Sequence, residues 1–458
     1  MFLQNRRLQV GIELFAKNGF FFNGGVVDST ATLRTYVDNF VNYQKDRLLQ
    51  IFHNQIVSPQ FGMRSEKIPT GKGDTVQWDL AIKQTRPAAA IAENTDIAPQ
   101  LMYESKKTQQ AEEWGDAVET TRRLQLIHKH LAGSWGWNYM TDKVAESMAE
   151  ALDYRCLGVL ATNGYRMRVD RNTDYEKNVS TTSDGNAGGT TLLSTTLTQA
   201  ESFWVGAYVT IMGLDTAKLS RASYQETRPV SAFANATGTV TVSTAFPSII
   251  KSGCAIHICV GTGITEGDII TTNVISVMGR QLKRNKGIRF NDTLVTKGMI
   301  KQTQNLPPGG AEGVYWTFIL DQDHEYDFMK DTDWKATGVE QDIKALQNGV
   351  IKKWMGCQFY GTTQAWREDV DGTENEASGV VHPVIALAQE AYGITPVEEP
   401  GSKDLGIGGN FAVTINLKRP EDFGDFGKIR SSVAAQAYFA IRSLMSGCNI
   451  VMLGGCSA

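Results

Sequence analysis

From Thr75 to Lys83 the chain alternates: Val76, Trp78, Leu80 and Ile82 are apolar, whereas Thr75, Gln77, Asp79 and Lys83 are polar. A period of two predicts a half-buried strand. It follows KIPTGKGD, in which Gly71, Lys72 and Gly73 could cradle a phosphate. A phosphate loop needs GxxxxGK[ST] running straight into a helix, so that backbone N–H groups converge on the anion. Here Lys72 is followed by Gly73 and then by the strand pattern, so the glycines read as a turn. RPAAAIAENTDIAPQ supplies a polar tip and LMYESKKTQQAEEW a return strand, which makes 61–113 a two-stranded excursion. A lone two-stranded ribbon is marginal in water and its edges invite pairing. Its apolar face needs cover, and the expectation is that a second molecule provides it.

Helical periodicity appears near 35–52, where Tyr36, Phe40, Tyr43, Leu48 and Ile51 form an apolar stripe within an N-terminal arm, 1–60. A stronger helix is predicted over 139–163. Val144, Met148, Leu152, Cys156 and Val159 share one face, Asp153 falls on another, Thr141 suits an N-cap and Gly164 ends the run. Residues 178–196 are rich in Ser, Thr and Gly. Short strands follow (WVGAYVTIM, TRPVSAF, GTVTVSTAF, AIHICVG), with NATG at 235–238 as a hairpin turn. Residues 170–262 therefore read as a small antiparallel β domain inserted after a peripheral segment, 114–169. Ile270, Val274, Val277, Met278 and Leu282 then predict a second helix, with Lys283, Arg284 and Lys286 crowding its C-terminal end. Further on come a strand (VYWTFIL), an acidic turn and helix, a helix to Asn348-Gly349 and a strand through KKWMGCQFYGTT. The chain closes with a strand (GNFAVTINLK), a helix or buried element (SSVAAQAYFAIRSLM) and an apolar strand (NIVMLGG).

Composition narrows the function classes. The 458 residues carry 45 Lys and Arg against 49 Asp and Glu, a net charge of −4, so no global basic field recruits nucleic acid. No apolar run approaches the ~20 residues of a membrane span, and the N-terminus lacks a signal-peptide core. The six cysteines form no CxxC pair, which argues against a disulfide framework or a zinc site, and no cofactor or metal is expected. His257 and Cys259 share a strand face but have no partner pair.

Fragments that resemble catalytic motifs each lack a required part. AGSWG around Ser134 misses the first glycine of a nucleophile elbow and is not followed by βα units. EDVDGTENEAS matches a calcium loop at Asp369, Asp371 and Gly372, but Arg367 stands where the first carboxylate belongs and Ser378 where the bidentate acid belongs. DQDHEYD places acids around His324, where first-turn N–H groups of a helix would also attract them. No catalytic residue is assigned.

The order of parts resembles the major capsid proteins of tailed bacteriophages with the HK97-like fold, in particular a podovirus-type branch. Four stretches carry the likeness: FGMRSEKIPTGKGDTVQWDL as an outgoing extended-loop strand; AENTDIAPQ with AEEWGDAVETT as loop tip and return; the helix over 139–163 as the spine helix; and YWTFILDQDHEYDFMKDTDW with NGVIKKWMGCQFYGTT as central-domain strands flanking the turn with Asp327 and Asp331. Gln322 stands where the family often has Pro. The resemblance implies an α+β chain: an N-terminal arm (1–60), an extended loop (61–113), a peripheral domain with the spine helix (114–169) and the inserted β domain (170–262). A central (axial) domain with the return strands of the peripheral domain would occupy 263–458. It implies a non-enzymatic virion protein, made in the host cytoplasm, forming hexamers and pentamers of an icosahedral head around double-stranded DNA. Implied partners are further copies of the chain, a scaffolding protein, a portal and a cement protein, with no membrane. Lys67, Ile68, Val76, Trp78, Leu80 and Ile82 would lie at subunit interfaces. Lys283, Arg284, Lys286 and Arg289 would offer an inner-face DNA contact. The alternatives are another phage assembly protein, such as a tail component, and a cytosolic hydrolase.

Overall fold

The structure, a computed structural model, describes residues 57–62, 73–81, 104–121, 134–212, 226–247, 249–285, 287–291, 314–331, 350–354, 356–396, 403–404, 412–418 and 430–456. The helical stripe of 35–52, the loop tip and the helix expected to end at Asn348-Gly349 lie outside the described residues. In chain order the first strands are β1 (Thr75–Ala81), β2 (Glu104–Gln110), β3 (Glu112–Thr121), β4 (Tyr165–Arg168), β5 (Glu176–Ser180), β6 (Thr191–Leu193) and β7 (Tyr208–Ile211). Then come β8 (Glu226–Ala234), β9 (Thr239–Val242), β10 (Ala255–Cys259), β11 (Phe290–Asn291), β12 (Val314–Asp321), β13 (Val350–Trp354) and β14 (Cys357–Thr362). The last are β15 (Val384–Leu387), β16 (Tyr392–Pro396), β17 (Lys403–Asp404), β18 (Ala412–Lys418), β19 (Arg430–Ser443) and β20 (Asn449–Leu453). Helices are α1 (Ser134–Asn163), α2 (Thr272–Arg284) and α3 (Gln322–Lys330).

A seven-stranded mixed sheet forms the centre, in the order β13-β14-β12-β15-β20-β4 with β11 beside β12. β12 with β14 and β20 with β4 run parallel. Such strands are covered on both faces and read as continuous apolar runs. Tyr315–Leu320 of β12 and Ile450–Leu453 of β20 accordingly have no exposed position. α2 and α3 are tied end to end here: Asp331, at the C-terminal end of α3, accepts from the Thr272 N–H at 3.1 Å and its hydroxyl at 2.9 Å. A carboxylate there satisfies an otherwise open first-turn donor of α2.

A second sheet runs β16-β19-β18-β17, and β3 pairs with the other half of β19. SSVAAQAYFAIRSLM, which its alanines left open to a helix, is largely the fourteen-residue strand β19. Period-two burial decides it. Val433, Ala435, Ala437 and Phe439 are buried, whereas Ser432, Ala434, Gln436 and Tyr438 between them are half-exposed. Trp114 of β3 stacks on Phe439 with ring centroids 5.9 Å apart, and α1 crosses this face. α1 begins at Ser134, earlier than predicted, so Thr141 sits fully buried inside the helix instead of capping it. SWGWNYM looks like a bend because of its glycine, yet it holds no proline and helical continuation costs only about 1 kcal/mol for the Gly.

Among the described residues the six strands β5-β10-β7-β8-β9-β6 form a sheet of their own. They enclose their own core of Trp204, Phe233, Val240, Phe246, Ile256 and Ile258. The turn 235–238 joins β8 to β9 with Gly238 at φ 63°, a conformation that glycine adopts without a Cβ penalty. KKWMGCQFYGTT, predicted as one strand, is the pair β13 and β14 turned at Gly356, φ 74°.

Candidate functional site

The ribbon β1–β2 is antiparallel, with Thr75 opposite Gln110 and Ala81 opposite Glu104. Its alternation is as predicted: Val76, Trp78 and Leu80 are buried. The cover, however, comes from the same chain. All three belong to the main core, and Trp78 lies so close over Gly393 of β16 that a Cβ there would fall 2.5 Å from the indole ring. This corrects the expectation that a second molecule must hide these three side chains, which are not available to one. Local alternation reports that a face needs cover and carries no information about a strand more than three hundred residues away. Lys67, Ile68 and Ile82 lie outside the described residues.

On the same face, opposite Trp78 in the register, the second strand of the ribbon is held by charge. Lys107 of β2 is buried against Glu226 of β8, which also pairs with Arg228 at 3.0 Å. Burial pushes the Lys107 amine down to about 7, and Arg442 and Arg228 add to the push. Arg442 of β19 donates to the Thr108 carbonyl. A cavity of about 350 Å³ opens beside this junction, lined by Gln109, Arg155, Asn163, Glu226, Arg228 and Arg442. Its guanidiniums already have partners, Arg155 with Glu112 at 2.8 Å among them, so it does not present a ready anion pocket.

The six-stranded sheet meets the body through buried polar groups that sequence reasoning missed. Arg166 of β4 pairs with Glu368, both almost fully buried, and lies 4.1 Å over the Tyr208 ring. Burial pushes the Glu368 carboxyl up, opposed by Arg166. Arg168 donates to Asp170 at 2.8 Å and to the carbonyls of Val260 and Thr262 at 2.6 and 2.8 Å. His257 stacks on Tyr165 and donates from Nε2 to the Arg166 carbonyl at 2.6 Å. Burial pushes its pKa down. It is a satisfied core histidine, and no ligand role with Cys259 is needed to explain it. The only available signal was two arginines at i and i+2 in an otherwise ordinary strand.

Asp153, on a face of α1 away from the predicted apolar stripe, is buried as well. It accepts from the Ser58 N–H at 2.7 Å and the Thr362 hydroxyl at 3.1 Å. It thereby pins the segment after the arm to the spine of the fold.

Of the basic cluster, Lys283 and Arg284 are exposed at the end of α2. Lys283 and Arg289 both stand over the Trp316 indole, at 5.5 and 4.2 Å, which orders two cations on one aromatic face. Lys286 lies outside the described residues. The acidic loop closes on itself: Asp369 accepts from Asn375 at 3.0 Å, Asp371 from the Thr373 N–H at 2.9 Å, and Arg367 pairs with Asp321 at 3.0 Å. Ser134 lies in the first turn of α1. His324 is fully buried, with its ring engaged by Cys456 and the His382 carbonyl, so it is not a solvent-facing base. Among the described residues no helix is long and apolar enough to cross a membrane.

No family model matches the chain, and no curated protein sequence matches it. Among solved structures it is similar to the capsid of the cyanophage P-SCSP1u, at 8% identity over 88% of this chain and 89% of that one, TM-score 0.44. It is similar to the capsid of Ralstonia phage GP4, at 11% identity over 88% and 92%, TM-score 0.44. A third is the capsid asymmetric unit of cyanophage Pam1, at 11% identity over 87% and 89%, TM-score 0.44.

Proposed function

We propose that the chain is a self-assembling shell subunit, the major capsid protein of a tailed phage with an HK97-like fold, with a structural and not a catalytic role. The observation that carries this reading is the ribbon. Its base is locked into its own subunit by Trp78 on Gly393 and by Lys107 on Glu226. The sequence joining its strands runs from Ile82 to Tyr103, far beyond the two to five residues that close most hairpins. A long connection on a rigidly anchored ribbon suits contact with another molecule. The apolar residues Ile82, Ile91, Ile97, Leu101 and Met102 within it suit a partner of the same kind.

On this reading the arm, extended loop, peripheral domain, inserted domain and central domain occupy 1–60, 61–113, 114–169, 170–262 and 263–458. Lys67, Ile68 and Ile82 contact neighbouring subunits in hexamers and pentamers. Lys283, Arg284, Lys286 and Arg289 face packaged DNA, held weakly and without sequence preference because the chain as a whole is slightly acidic. A scaffolding protein, a portal and a cement protein complete the particle. Negative-stain microscopy and light scattering of the purified full chain test it. Closed shells or six-fold and five-fold capsomers are expected, whereas tubes would favour a tail component and a compact monomer under all conditions would overturn the reading.

A further inference from the structure

His324 and Asp327 stand three residues apart on α3, a spacing that puts both side chains on one helix face. Gly455 bridges to Ile269 just beyond the end of β20 and delivers Cys456 to the same place. One ligand atom from each of the three lies within 4.8 Å of the others, and all three residues are buried. Cys456 Sγ is 3.1 Å from His324 Nδ1.

The imidazole is oriented for ligation. His324 Nε2 donates to the His382 carbonyl at 2.9 Å, which leaves the lone pair on Nδ1, toward the sulfur. Histidines that bind metals are held by this kind of bond on the far nitrogen. A tetrahedral zinc with Zn–S of about 2.3 Å and Zn–N of about 2.0 Å separates S from N by about 3.5 Å, so only a few tenths of an ångström of opening is required. The adjacent group of Asp321, Asp323 and His382 is a poorer candidate. Arg367 pairs with both of its carboxylates, at 3.0 and 3.1 Å, and His382 Nδ1 sits 2.9 Å from Asp321. A cation there would have to displace a guanidinium. That group instead supports the first, because its His382 carbonyl orients His324.

We propose that His324 Nδ1, the Asp327 carboxylate and Cys456 Sγ bind one zinc-class divalent cation, with water in the fourth position, tying the C-terminal segment to α3. Binding forms the S–Zn bond as the thiol proton leaves to solvent. One thiolate and one carboxylate then balance the two positive charges, which suits a buried site. The absence of a CxxC pair gave no hint of it, since its cysteine and histidine are 132 residues apart in sequence.

The test uses the full chain, stripped with chelator and titrated with Co²⁺. One Co²⁺ per chain is expected, with a thiolate-to-cobalt charge-transfer band that Zn²⁺ abolishes and one proton released from the thiol. C456S should lose the band, and H324Q and D327N should weaken uptake by roughly tenfold or more. C448S, outside the cluster, should keep both. No stoichiometric uptake, or a charge-transfer band that survives in folded C456S, overturns the proposal. If C456S fails to fold, alkylation of the wild-type chain decides. Zn²⁺ should slow iodoacetamide labelling of Cys456 relative to the stripped chain, and equal rates would refute the site.

Discussion

The ribbon base and the junction of the six-stranded sheet both fasten a projecting part to the central body, by opposite means. At the ribbon the main attachment is apolar: Val76, Trp78 and Leu80 enter the common core and Trp78 lies against the bare backbone of Gly393. At the junction it is cationic and hydrogen-bonded: Arg166, held by Glu368 within the body, lies over the Tyr208 ring of β7, Arg168 donates to two carbonyls and His257 to a third. Apolar docking tolerates truncation in proportion to the volume lost. A buried ion pair behaves otherwise, because removing one partner strands the other in a low-dielectric interior.

That difference is sharpest in Arg166→Met. The variant leaves Glu368 buried and unpaired, so a loss of about 3–5 kcal/mol in denaturant unfolding is expected. The double variant R166M/E368L, with neither charge, should recover most of it; equal losses for the single and double variants would show that the pair itself is not what matters. Next comes Trp78→Ala, expected to cost about 3 kcal/mol or slightly more through its cavity. A Trp78 variant of unchanged stability would mean that the chain's own core does not cover the ribbon.

A smaller effect separates the two attachments by pH. Burial pushes His257 below its ordinary value of 6.5, so the unfolded chain takes up that proton first as pH falls. Its contribution is therefore intact above pH 6.5 and declines below it, with a slope approaching about 1.4 kcal/mol per pH unit. His257→Gln should flatten this part of the curve in urea titrations between pH 7 and 5, while Trp78→Ala should leave the slope alone. The smallest effect belongs to Lys251→Ala, which opens an exposed pair with Asp184. Its melting temperature should match wild type within error.

What was legible in the sequence follows the same division. The alternation at 75–81 and the apolar stripe of α1 are local signals, and both elements formed with the predicted face buried. What covers β1 was not legible, because Gly393 and Tyr392 carry no mark of the strand that will reach them. Nor was the ionic junction: Arg166 and Arg168 look like solvent-facing residues until β10 and Glu368 are brought over them. The same limit hid the cluster of His324, Asp327 and Cys456, whose members are joined by topology and not by spacing. β19 was ambiguous for a different reason, since alanine suits a helix and a closely covered sheet face alike.

On the proposed function the excursion has two parts, a base held in its own subunit and a connection over 82–103 expected to serve a neighbour. Replacing residues 84–101 with a short Gly-Ser link and following light scattering under assembly conditions tests that division most directly. The shortened chain should unfold at the same denaturant concentration as wild type and remain as free subunits or small oligomers while wild type builds particles. Particles of normal size from the shortened chain would contradict it.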